Sequence, residues 1–151
     1  MIIKIAGYDV LIDDEDFDLV SNYKWYVLKV KNLIYFRRIV SNNKHVLLHR
    51  EITNAQKGVN IDHVNGNTLD NRKCNLRVCT TSQNAMNCKN RENNKSGYKG
   101  VSWDANHKKW QAKIMLKRKT MWLGYFTDAK DAYKAYCNAS KEYHGEYGRV
   151  L

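Results

Sequence analysis

One stretch, Asn60 to Lys89, restricts this chain more than any other: it reads as a strand, a long polar loop, a second strand and a helix. The short apolar run Gly58-Val59-Asn60-Ile61 ends on Asp62-His63. Asn65-Gly66-Asn67 and Asp70-Asn71 follow, a composition that favours turns over regular structure. Asn75-Leu76-Arg77-Val78-Cys79 returns as the second strand. Thr80-Thr81-Ser82-Gln83 then has the form of a capping box, which places Asn84, Ala85 and Met86 in the first helical turns.

The residue types suggest chemistry. A hard dication wants oxygen ligands, and a carboxylate with an amide carbonyl supplies them while leaving positions for water and phosphate. Asp62 and Asn84 are of those types, and His63 can take a proton from water near neutral pH. Neighbours on a regular strand point to opposite faces, so Asp62 and His63 share a site only where the strand ends or bulges. The Asn65-Gly66 turn makes an ending there reasonable. On composition alone, a metal site and an ordinary turn-rich hairpin both stand.

The spacing adds a resemblance. Asp62-His63 with Asn65-Gly66-Asn67, Leu69-Asp70-Asn71, Asn75-Leu76-Arg77 and Gln83-Asn84 with Asn87 resemble the HNH nucleases of the ββα-metal fold, in particular the homing endonucleases of phages and mobile introns. The resemblance implies that Asp62 and Asn84 bind one divalent metal (Mg2+ or Mn2+) against the scissile phosphate. It implies that His63 is the general base and that Asn75 braces the loop and orients it. The motif covers about residues 58–89, within a nuclease domain expected over 1–89.

Charge agrees with a polyanionic partner. The net charge is +11, and 18 of the 26 basic side chains lie from residue 57 onward, against 8 of the 15 acidic ones. No apolar run approaches a membrane span, and Met-Ile-Ile-Lys-Ile-Ala lacks a signal-peptide layout. A cytoplasmic location is expected. Cys74, Cys79, Cys88 and Cys137 fit no paired zinc spacing and read as reduced thiols.

Upstream, Ile2 to Leu11 with Gly7 suggests a hairpin. Asp13 or Asp14 can cap a short helix through Val20. Trp25 to Val30 and Ile34 to Val40 read as two strands joined near Lys31-Asn32, their aromatics serving as packing. Val46 to Ile52 reads as a helix. Ile12-Asp13-Asp14, Lys24-Trp25 and Leu48-His49-Arg50 look like the N-terminal portion of phage HNH proteins. His49 is then a structural helix residue or a partner near the metal, Asn87 a further neighbour, and Arg50 and Arg77 candidates for DNA phosphate. His45, His107 and His144 lie in segments that look exposed.

Asn90 to Gly97 is polar throughout and reads as a linker. Beyond it, Tyr98–Trp103, Lys108–Leu116 and Lys119–Phe126 read as strands. Trp110, Ala112, Ile114 and Leu116 fall on one face, and Gln111, Lys113, Met115 and Lys117 on the other. Thr127 can cap a helix in which Ala129, Ala132, Tyr133, Tyr136, Ala139 and Tyr143 recur at steps of three and four. That helix covers the apolar face and leaves the face with Lys113, Lys117, Arg118 and Lys119 open. This module, 98–151, resembles the plant AP-two/ERF DNA-binding domain. The resemblance is carried by Tyr98-Lys99-Gly100-Val101, Lys109-Trp110-Gln111-Ala112 and Trp122-Leu123-Gly124-Tyr125-Phe126-Thr127. It implies that Lys99, Ser102, Lys113, Met115, Thr120 and Trp122 lie on the DNA-facing sheet. Several family arginines are other residues here, so backbone binding is expected rather than the plant recognition sequence.

The expectation is therefore an α+β, two-module endonuclease acting on double-stranded DNA, with no membrane and no obligatory protein partner. Its rival is a DNA-binding regulator that keeps both folds and no longer cuts.

Overall fold

The computed structural model describes residues 1–41, 44–90 and 93–150; Arg91 and Glu92 of the expected linker lie outside them. The architecture is α+β, in two compact units, Met1–Thr80 and Thr81–Leu151.

In the first unit, β1 (Ile2–Ile5) and β2 (Tyr8–Leu11) form an antiparallel hairpin. Its two-residue turn has Ala6 at φ 50° and Gly7 at φ 87°. Both turn residues sit at positive φ, as the right-handed twist of a two-residue hairpin demands. A 3₁₀ turn (Asp14–Asp16) leads into α1 (Phe17–Ser21). The strands β3 (Tyr26–Val30), β4 (Leu33–Ser41) and β5 (Lys44–Leu47) make a sheet in that order, followed by α2 (Leu48–Ile52). Val46, expected in the helix, instead pairs with Arg38 at the end of β5. The open edge of β4 offers ladder hydrogen bonds that a β-branched residue takes readily. Finally β6 (Asn60–His63) pairs with β7 (Leu76–Cys79).

One apolar cluster, with Val10, Ile12, Val20, Trp25, Phe36, Leu48, Ile52 and Leu76, joins these pieces. The indole of Trp25 donates to the carbonyl of Val20 at 2.8 Å, so its one polar atom is satisfied inside that core. The acidic segment does not cap α1 with its side chains. Asp13 accepts from the backbone N–H of Lys73 at 2.7 Å, and Lys73 pairs with Glu15 and, at 3.2 Å, with Asp16. The edge of β2 adds two bonds, Leu11 N–H to Leu69 O at 2.9 Å and Asn71 N–H to Leu11 O at 2.8 Å. N-terminal residues thus hold the middle and the C-terminal end of the loop between β6 and β7.

In the second unit, α3 (Thr81–Met86) precedes a sheet of order β10-β9-β8, made of β8 (Val101–Asp104), β9 (Lys109–Leu116) and β10 (Lys119–Phe126). α4 (Ala129–His144) packs on it. Val101, Ala112 and Ile114 are buried on the helix side with Ala132, Tyr136 and Ala139. Gly100, at φ 75°, admits no side chain: a Cβ there would lie 2.1 Å from the Tyr136 ring. The alternation along β9 runs as its sequence pattern predicts. The cap of α4 is Asp128, which accepts from Lys130 N–H at 2.6 Å, rather than Thr127. Tyr143 stands 40% exposed, off the core face. His144, expected exposed, is buried and donates from Nε2 to the Met115 carbonyl at 2.8 Å.

Candidate active site

His63 is the last residue of β6, and the chain turns away at once, Gly66 N–H donating to His63 O at 2.8 Å. Its imidazole is 5% exposed. The ring meets His49 of α2 edge-on, centroids 5.2 Å apart, and Tyr35 of β4 at 6.3 Å. Nε2 lies 3.3 Å from Oδ1 of Asn71, and the Asn71 amide group donates to Thr68 O at 3.2 Å. That second bond fixes which end of the Asn71 amide faces the ring. An oxygen facing Nε2 requires a proton there, which puts the lone pair on Nδ1. Burial lowers the His63 pKa from its ordinary value, against opposing pulls from Asn71, Asp62 and Asp70. At neutral pH the ring is therefore an uncharged base with a defined tautomer. His49 is pushed down to about 3, first by burial and then by the neighbouring His63 and Arg50. Arg38 of β4 binds Glu51 of α2 through two bonds, 2.7 and 3.2 Å, and so fixes the helix that carries His49.

Asp62 is 7% exposed and stands opposite Arg77 in the β6–β7 register. The Arg77 guanidinium donates twice to Asp62 Oδ2, at 2.9 and 3.2 Å. Arg77, a candidate for phosphate, is thus held on the carboxylate expected to bind metal. The pairing bears on whether a metal fits. A carboxylate this deep tolerates its charge only with a cation beside it, and a guanidinium is the weaker substitute for a hard dication. Carboxylate and amide oxygens are the right donor types for Mg2+ or Mn2+, with water and phosphate completing the shell. Among the described residues no group of three or more His, Cys, Asp or Glu is arranged to hold a metal ion.

The loop is braced from within. Asn75 accepts from Asn65 N–H at 2.9 Å and donates to Asp70 O at 2.7 Å, closing the loop on itself. Asp70 binds Arg72 through two bonds of 2.8 Å and accepts from Asn65 at 3.0 Å. Arg72, first, holds the Asp70 pKa below the usual carboxylate range. The side chain oriented onto His63 is that of Asn71, with Asn75 one step behind. Arg50 donates to the carbonyls of Val59, Ala55 (3.2 Å) and Gln56 (2.6 Å). Its guanidinium shapes the approach to β6, an occupation the sequence does not announce.

Asn84 lies exposed in α3 of the second unit, and Asn87 is buried just past its end. Lys99, expected on the open sheet face, precedes β8; its ammonium donates to the carbonyls of Met86 and Cys88. Orphan carbonyls at the end of α3 attract that cation, and burial lowers its pKa. Ser102, Lys113, Met115, Thr120 and Trp122 do stand exposed on the open face. Lys117 and Arg118 form the two-residue β9–β10 turn, with Lys119 opening β10. Sequence reasoning passed over Asn71 and Tyr35. Asn71 sat within the quoted Leu69-Asp70-Asn71, but nothing in a loop sequence says which amide turns back. The Asp62–Arg77 pair was accessible in principle, as opposite charges at facing positions of two short strands.

Residues 46–86 match a family model described as HNH endonuclease. The match contains β5 from Val46, α2, β6, β7 and α3, and it ends before the C-terminal sheet. Protein 3.8 of Escherichia phage T7 is 36% identical over 63 residues, 42% of this chain and 52% of that protein, so the aligned part spans about half of that relative. An uncharacterized HNH endonuclease of Acanthamoeba polyphaga mimivirus is 24% identical over 143 residues, 93% of this chain and 73% of that one. No solved structure matches.

Proposed function

We propose that this chain, whose residues 46–86 fall within the HNH endonuclease family, is a metal-dependent DNA endonuclease of the homing type. The carrying observation is the pair Asp62-His63, a buried carboxylate and a buried neutral imidazole at the end of one strand. Both are costly to bury, and a fold keeps such groups together where they act. His63 accepts a proton from the attacking water at Nδ1, while Asn71 holds its Nε2–H and Asn75 braces the loop behind. Asp62 would hold one Mg2+ or Mn2+, which would supply charge stabilisation at the phosphate. Residues 1–89 form the nuclease part, 90–97 the connection, and 98–151 a DNA anchor with the strand and helix order of AP-two/ERF domains. Lys113, Lys117, Arg118 and Lys119 supply that anchor's attraction for double-stranded DNA.

Supercoiled plasmid with Mg2+ or Mn2+ tests the reading, with wild type beside Asp62→Ala and His63→Ala. Metal-dependent nicking lost in both variants, with DNA binding kept, is the expected result. Equal activity in all three sinks it. No nicking by any of the three, with binding intact, favours the alternative, a DNA-binding regulator on the same fold.

A further inference from the structure

We infer that the open face of the C-terminal sheet carries a site for unpaired DNA bases, built from Trp122, Tyr125 and His107. The inference rests on the DNA-anchor part of the reading above and needs none of the nuclease chemistry.

The first observation is a re-aimed side chain. Residues three apart on a regular strand point to opposite faces, so Trp122 and Tyr125 should be separated by the sheet. They are not. The β9–β10 register slips between Trp122 and Gly124, after which Trp122 faces Lys113 and Tyr125 faces Gln111. Met121, Leu123 and Phe126 pack into the core on the helix side. Gly124 absorbs the irregularity at φ 136°, and a Cβ there would press on the Phe126 ring at 3.3 Å. Bulges of this kind recur where a strand must present a particular side chain. Here the result is two aromatic rings on the open face, 5.3 Å apart at 67°.

The second observation is that the rings are held in place. Asp104 ends β8 and accepts from Asn106 N–H at 3.0 Å and His107 N–H at 3.1 Å, shaping the β8–β9 turn. The same carboxylate accepts from Tyr125 Oη at 3.0 Å and lies 3.2 Å from His107 Nδ1. His107 stacks on Tyr125 with centroids 4.3 Å apart and 27° between planes. One acid therefore ties two rings together, His107 and Tyr125, and Trp122, edge-on to Tyr125, ends the row at 55% exposed.

Charge and chemistry identify the occupant. Lys109 and Lys113 flank the row, with Lys117, Arg118 and Lys119 at the far end of the same sheet, so the partner is anionic. Ring faces engage base faces, and a duplex hides those faces in its own stack. Groove reading by contrast wants guanidinium forks on the sheet, and the open-face strand residues, which include Ser102, Gln111, Lys113, Met115, Thr120 and Trp122, contain no arginine. Stacking rings within a lysine fringe fit single-stranded DNA.

Fluorescence anisotropy on the full chain tests this, using labelled oligothymidylate against a duplex with the same number of phosphates at matched salt. The single strand is expected to bind at least as tightly as the duplex. Trp122→Ala should weaken single-strand binding about tenfold, the loss of one stacked base, and change duplex binding by less than about twofold. Trp122→Leu, which keeps bulk without an aromatic face, should behave like Trp122→Ala. Asp104→Ala should give a smaller loss, since it releases the row without removing a ring. Duplex preference in wild type, or equal losses on both DNAs in correctly folded Trp122 variants, overturns the site. Asp62→Ala should lose cleavage and keep single-strand binding. Cleavage with no single-strand binding defeats this inference alone, whereas binding to neither DNA defeats the anchor reading with it.

Discussion

The two units bury different things. In the first, Asp16, His49, Asp62, His63, Thr68, Asp70, Asn71 and Asn75 are buried; in the second, only Asn87, Ser140 and His144 join the buried polar set among the described residues. Polar groups removed from water destabilise a fold unless each finds a partner. The first unit answers with a network: Asn71 on His63, Arg77 on Asp62, Asn75 on the loop backbone. The second packs small and aromatic residues between sheet and helix and leaves its polar chemistry in solvent. A network that fixes a tautomer suits one defined reaction, and an open charged face suits a long flexible polyanion.

Acid should break the first unit before the second. Two buried imidazoles are held neutral, His49 down to about 3 against an ordinary 6.5. Between those values the unfolded chain binds more protons than the folded one, so stability is full above about 6.5 and is lost as pH falls. For His49 alone the loss is roughly 3 kcal/mol by about pH 4. Denaturation followed on the first unit across pH checks this, and His49→Phe should flatten the dependence. A wild type that is pH-independent down to pH 4 contradicts it.

Asn71→Ala comes next. Freed from its orienting bond, His63 can present the wrong nitrogen, and kcat should fall about ten- to a hundredfold, as for other orienting partners. KM and DNA affinity should hold. Arg77→Gln tests the resident cation: metal no longer competes with a charge-assisted pair worth about 1.5 kcal/mol, so the half-saturating Mn2+ concentration should fall about tenfold. A rise would mean that Arg77 helps the metal rather than substituting for it.

The smallest effect belongs to the surface. Lys117 (φ 49°) and Arg118 (φ 65°) both occupy the left-handed region, where Asn-Gly is the easier choice. Replacing both, Lys117→Asn with Arg118→Gly, should stabilise the second unit by about 1 kcal/mol and raise its Tm by about 4–8 °C. The same change should make the salt dependence of duplex binding shallower by about 2 in log–log slope. Stability gained with an unchanged slope would remove these side chains from the DNA contact.

Legibility followed the same division. Period-two alternation from Trp110 to Leu116 gave the C-terminal sheet its faces, because packing against one helix is a local matter of which side is apolar. The β6–β7 unit was readable from Asp62-His63, the Asn-Gly turn and the return at Leu76. What escaped was long-range commitment. Nothing in the sequence tells Asp13 to leave its helix for the Lys73 amide, or Arg50 to gather three carbonyls, or Lys99 to turn from the sheet toward Met86. The Trp122-to-Tyr125 slip escaped because strict alternation treats Gly124 as an ordinary strand position.

The central claim, that residue 62 touches the metal that cuts DNA, is most directly tested by Asp62→Cys. Thiolate is a poor ligand for Mg2+ and a good one for softer ions. Plasmid nicking by this variant should be absent in Mg2+ and return with Mn2+ or Cd2+, at unchanged DNA affinity. Full activity in Mg2+, or a folded, DNA-binding variant that no softer ion restores, would contradict the account.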